Sequence, residues 1–243
     1  MTRTLRVGAL TAAALSLVLA LSGCFGPTPT PTPTPDAASP RPTPTATPPA
    51  EPVDPLTTVT SIVARPEAVE LRDATGAVVV ALDYLSPPAD AVATLTTVFG
   101  REPVDESYDG SSHFPPSTAH RWDGFELWEQ RYVGRWEGVV PELSLDRPAF
   151  MVLFNAASAG ELELSTVDGR HAGESWDDLM AVQGLRLNPS DCSGPYLDYI
   201  EQDDVNADGE PYVRTVSVEF RRDQDSTSIA SIAAPIGVSP GCA

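Results

Sequence analysis

Phe125-Glu126-Leu127-Trp128-Glu129-Gln130-Arg131-Tyr132-Val133 carries its large side chains at the spacing of a strand. Successive side chains on a strand point to opposite faces. Phe125, Leu127 and Val133 then share one face, and Trp128 and Tyr132 the other, with Glu126 and Gln130 beside them. One face goes to a core and the other carries aromatics among acids and amides. Runs of similar character recur at residues 58–64, 68–72, 77–84, 150–156, 161–167, 196–200, 213–222 and 227–233. They are rich in Val, Ile and aromatics and are bounded by turn residues. Asp168-Gly169 and Asp208-Gly209 are hairpin-type pairs.

Two segments interrupt the strands with helical spacing. The first opens at Ser86 with Pro87 in the first helical position, where a missing N–H costs nothing. Val92, Leu95 and Phe99 fall on one side, and Gly100 stops it. The second has Ser175 as N-cap and Asp178 three residues on, a capping-box spacing with Asp in place of Glu. Trp176, Leu179 and Met180 form its apolar stripe, and Gly184 ends it. Val69-Glu70-Leu71 is followed by Gly76, and Leu162-Glu163-Leu164 by Gly169, at the same spacing. Each is followed by a short Ser-capped helix and more strands, the pattern of a two-repeat arrangement. The fold expected is α+β: a mainly antiparallel sheet with two short helices. A β-sandwich is the alternative.

These elements occupy residues 56–243, expected to be a single extracytoplasmic globular domain. It holds 188 residues, ample for a core. The whole chain has 15 basic residues, all Arg, against 34 acids, a formal charge of −19. The absence of Lys excludes a Schiff-base lysine, a phosphate-loop lysine and a Ser–Lys nucleophile pair. The negative charge argues against nucleic acid as a partner.

The amino end reads as a targeting segment. Arg3 and Arg6 precede 15 uncharged, mostly apolar residues, 7–21. That is the length of a signal-peptide core and short for a membrane span. It ends in Leu21-Ser22-Gly23-Cys24, an aliphatic residue, two small residues and a Cys. Residues 1–24, and these alone, resemble the lipobox segment of bacterial lipoproteins. The resemblance implies removal of residues 1–23 and acylation of Cys24 (diacylglycerol, with palmitate-type chains). It places the domain at the outer face of the cell membrane. Two acyl chains anchor stably where one is marginal. An ordinary secretory signal with an incidental Cys is the other reading.

Residues 24–55 are expected to comprise the lipidated Cys and a disordered stalk. Twelve of the 29 residues from 27 to 55 are Pro and seven are Thr. Pro–Thr alternation favours extended polyproline II, with a reach of up to roughly 90 Å. With Cys24 acylated, Cys192 and Cys242 remain, an even number in an oxidising compartment. A disulfide between them would close a loop of about 50 residues and contribute about 4 kcal/mol in the chain-entropy account. Free thiols or a metal pair are the rivals, and no His lies near either Cys in sequence.

The candidate sites are few. Trp128, Tyr132, Glu126 and Gln130 make a candidate binding surface for a protein, glycan or cationic ligand, provided a helix or loop does not cover that face. Asp204, Asn206 and Asp208, with Gly209 at the sixth position, reproduce the first half of a calcium loop. The second half departs: Pro211 stands at the eighth position and Thr215, not Glu, at the twelfth. A plain hairpin loop has the same composition, so no cofactor is expected beyond a weak Ca2+ candidate. No catalytic residue is assigned. H-E-x-x-H and G-x-G-x-x-G are absent, and His113, His120 and His171 stand without ligand spacing. The function expected is a non-catalytic binding or scaffold domain. The alternative is a carboxylate-dependent cell-envelope hydrolase, marked by two carboxyls about 5 to 9 Å apart beside the aromatic row.

Overall fold

A computed structural model describes residues 53–188, 193–205, 209–223 and 226–238. The signal segment, Cys24, the stalk to residue 52, Cys192, Cys242, Asn206 and Asp208 lie outside the described residues. From the amino end, β1 (Val59–Ala64), β2 (Ala68–Asp73) and β3 (Val78–Asp83) lead into helix α1 (Pro88–Phe99). β4 (Val104–Tyr108), β5 (Ser117–Trp122), β6 (Phe125–Gln130) and a 3-10 run (Gly134–Glu142) come next. β7 (Phe150–Phe154), β8 (Ser158–Ala159), β9 (Leu162–Thr166) and helix α2 (Trp176–Met180) precede β10 (Tyr196–Val205), β11 (Pro211–Arg221) and β12 (Ser231–Val238). The domain is mixed α+β and mostly strand.

Two sheets form. The smaller runs β3-β2-β1-β9-β8, and β1 and β9 lie parallel with Ile62 beside Leu164. The larger runs β10-β11-β12-β7-β6-β5-β4, with every neighbouring pair antiparallel. Strand parity sets what each buries. Val69 and Leu71 on β2, and Leu162 and Leu164 on β9, alternate with Glu70 and Glu163 and belong to the core. Phe125, Leu127, Val152, Phe154, Val218 and Phe220 from the larger sheet join the same cluster. Burial of each such side chain contributes roughly 1.5–3 kcal/mol before chain entropy is counted.

Helix α1 lays Ala91 and Leu95 into this cluster and stacks Phe99 on Trp122, 5.2 Å between ring centres. It begins at Pro88, one residue later than the Ser86–Pro87 pattern predicts, with Pro87 in extended conformation at the cap. The cause is the second proline: a residue preceding Pro is held out of the α region. Gly100 ends it with φ 65° and its N–H on the Thr97 carbonyl. In α2 the Ser175 hydroxyl accepts from the Asp178 N–H at 3.3 Å, as the sequence predicts. That helix closes at Met180 rather than at Gly184, and Met180 faces solvent while Leu179 is buried.

Three expectations at the strand level change. The strand from Phe125 ends at Gln130, because Val133 folds its N–H back onto the Arg131 carbonyl and Gly134 follows at φ 61°. Val133 is therefore 56% exposed and not in the core. The run predicted at 227–233 is realised later, as β12. β4 and β5 form where no strand is predicted: Asp105-Glu106-Ser107 disfavours strand on propensity, and pairing with β5 overrides it.

Two turns share one hydrogen-bond pattern. The Gly76 N–H donates to the Asp73 carbonyl at 2.9 Å and the Asp73 N–H to Ala77 at 3.0 Å. Gly169 donates to Thr166 at 3.0 Å and Thr166 to Arg170 at 3.0 Å. Both glycines have positive φ, 81° and 70°.

Candidate functional site

The β4–β5–β6 unit carries different chemistry on its two faces. The β5–β6 hairpin turns at Asp123-Gly124, where Asp123 takes φ 52°. A side chain at Gly124 would meet the Ala156 Cβ at 2.6 Å, so the tight approach of that loop requires glycine. The turn fixes the register: Arg121 opposite Glu126, Ala119 opposite Trp128, Ser117 opposite Gln130. β4 adds Glu106 opposite Ala119 and Tyr108 opposite Ser117. By strand parity Tyr108, Glu106, Arg121, Glu126, Trp128 and Gln130 share one face.

On that face the Tyr108 and Trp128 rings lie 4.8 Å apart, and the Arg121 guanidinium is 5.9 Å from each centre. The Trp128 indole N–H donates to Glu126 Oε2 at 2.7 Å. Arg121 Nε donates to Glu126 Oε1 at 3.0 Å, its Nη2 to the Tyr108 hydroxyl at 2.7 Å, and its Nη1 pairs with Glu106. Asn155 Nδ2 also reaches Glu126 Oε1, at 3.0 Å. Bonds to Tyr108 and Glu106 push the Arg121 pKa up. Arg121, then Tyr108, hold the Glu106 carboxyl below its ordinary range. Trp128 and Tyr108 are half-buried, so the rings present an amphipathic ridge with fixed charge around it.

The four residues named from sequence do not all meet. Glu126 and Gln130 both contact Trp128, the latter through Nε2 to the Trp128 carbonyl at 3.3 Å. Tyr132 lies beyond the end of β6 and donates its hydroxyl to the Pro148 carbonyl at 2.8 Å. Burial pushes its phenol up to about 12. The ring that meets Trp128 is that of Tyr108, twenty residues earlier. Tyr108 and Arg121 escape a sequence reading because only the β4–β5 and β5–β6 registers bring them beside Trp128.

The opposite face of the same strands carries His120. It is 8% exposed, with Nδ1 2.7 Å from Asp105 Oδ1 and Nε2 3.3 Å from Glu129 Oε2. His120 and Glu129 border a groove of about 460 Å³, lined also by Glu102 and by Ala89, Val92, Ala93 and Thr96 of α1. Among the described residues the partners of this imidazole are the two carboxylates.

Asp204 is engaged within the protein. Its carboxylate accepts the Val205 N–H and the Tyr212 hydroxyl and pairs with Arg214, and those contacts, the backbone bond first, lower its pKa. An arginine on that carboxylate competes with a cation, and Asn206 and Asp208 fall outside the described residues. Among the described residues no three His, Cys, Asp or Glu side chains gather as a metal-holding group. Comparison with protein-family models, curated proteins and solved structures finds no match for this chain.

Proposed function

We propose that this chain is a lipoprotein anchored at the outer face of the cell membrane through Cys24, with a non-catalytic binding domain at the end of its proline-rich stalk. The contact surface is the ridge of Trp128 and Tyr108 with Glu126, Gln130 and Arg121, extended by Tyr132. The observation that supports it is a half-buried Trp–Tyr pair held between an arginine and two glutamates on an otherwise acidic protein. Aromatics and Arg supply contact area and directional bonds, the composition favoured at the centres of interfaces. The domain's negative charge favours basic or cationic partners and quickens their encounter. The hydrolase alternative draws less support, because the two carboxylates beside the aromatic pair, Glu106 and Glu126, are both engaged by Arg121, and the groove bearing Glu102 and Glu129 lies on the side of the sheet away from Trp128.

The reading is tested with envelope extract passed over the immobilised full chain. Replacing Trp128 with Ala, or Arg121 with Gln, is expected to release whatever is retained while leaving the circular dichroism unchanged. Retention unaffected by both changes, or cleavage of cell-wall glycan or peptide by the purified chain, would overturn it.

We also infer that the two halves of the domain descend from one duplicated unit. The matched turns at Gly76 and Gly169 support it, as does the sheet order, with β4–β5–β6 and β10–β11–β12 flanking β7 from either side.

A further inference from the structure

We propose that His120 is a pH-operated clasp that sets how tightly the β4–β5–β6 unit, and with it the Trp128–Tyr108 ridge, is held. The imidazole projects from β5 between Asp105 of β4 and Glu129 of β6, one carboxylate on each ring nitrogen. A carboxylate offers only lone pairs. An imidazolium donates to both, whereas a neutral ring has one N–H and must turn a lone pair toward the other acid. The Asp105 bond is the shorter, so the neutral tautomer keeps its proton on Nδ1 and loses Glu129. Histidine ordinarily changes charge between pH 5 and 8.

The other charges near the ring are acidic as well. Glu102, after α1, borders the same groove and accepts from the Thr96 hydroxyl of α1 at 3.5 Å. No Arg lines the groove. Elsewhere in the domain carboxylates are commonly paired with arginine, as at Glu70, Glu106, Glu126, Asp146 and Asp198. Here, among the described residues that line the groove, His120 alone can supply positive charge, and it does so only when protonated. The ring is almost closed to solvent, so water is a poor substitute for the lost bond.

The clasp bears on the ridge because the same strands carry both. Asp105 neighbours Glu106 on β4, and Glu129 neighbours Trp128 on β6, with side chains on opposite faces. At lower pH the imidazolium ties both outer strands to β5. As pH rises the Glu129 bond goes, the Asp105 bond weakens from ion pair to neutral donor, and edge strand β4 loosens. The effect on binding rests on the ridge being the contact surface; the clasp itself does not.

Amide hydrogen exchange of the full chain tests it without a ligand. After correction for intrinsic rates, protection of residues 105–108 is expected to rise about tenfold as pH falls from about 8 to about 5. His120→Gln is expected to flatten that profile. Asp105→Asn, which leaves His120 in place and removes the carboxylate that ties β4 to it, is expected to flatten it too and guards against a folding defect in the first variant. A flat profile in the unaltered chain, or an unchanged one in either folded variant, would overturn the clasp. A retained profile with ridge-independent binding would instead count against the proposed contact surface alone.

Discussion

Trp122 closes the core beneath helix α1: it is fully buried, stacks on Phe99 and donates its indole N–H to the Arg101 carbonyl at 3.0 Å. Trp122→Phe keeps most of the apolar burial and removes the bond, for an expected loss of about 1–2 kcal/mol. Trp122→Ala adds a cavity and is expected to cost about 3–5 kcal/mol. Denaturant titration checks both as a lowered midpoint at unchanged slope. Tyr132 gives a second test. Its folded-state pKa, pushed up to about 12 by burial, exceeds the ordinary phenol value of about 10. A raised pKa contributes stability that is complete below pH 10 and is lost as pH climbs through 12. Absorbance titration should show one phenol ionising near 12 that Tyr132→Phe removes; Tyr84, wholly buried, is pushed up by burial and then by Asp198. At this scale parity was the legible part. Phe125, Leu127 and Trp128 go where alternation sends them, while Val133 does not, because a local turn between Arg131 and Gly134 ends the strand first.

The elements show where local signals suffice. Gly100 holds φ 65° at the end of α1, and a Cβ there would meet nothing within 4 Å. Gly100→Ala therefore costs backbone strain alone, about 1 kcal/mol, expected as a lower unfolding temperature with α1 intact. Ser175→Ala, which removes the cap of α2, is expected to cost about 1 kcal/mol by the same measurement. Caps and glycine stops are written locally, and both helices were legible from them to within a few residues. β4 was not. Its central residues Asp105-Glu106-Ser107 disfavour strand, and it exists as the edge partner of β5. The ridge shares that obscurity, since Arg121 and Tyr108 join Trp128 only through pairing between strands.

At the scale of the whole molecule, charge dominates. Residues 56–243 hold 12 Arg against 31 acids, and exposed ion pairs return little of that repulsion. Raising NaCl from about 10 to about 300 mM, which shortens the Debye length severalfold, is expected to raise the unfolding temperature by a few degrees. A fall would mean that the Arg–carboxylate pairs outweigh the repulsion. Non-reducing peptide mapping is expected to recover Cys192 linked to Cys242, and free thiols at both would remove that staple. Tethering of this acidic domain by its first mature residue, as proposed, leaves a covalent mark. Mass spectrometry of the amino-terminal peptide from membrane-fraction protein tests it most directly. A mature chain that begins at Cys24 and carries a thioether-linked diacylglycerol is expected. An unmodified Cys24, or an amino terminus at any other residue, would contradict it.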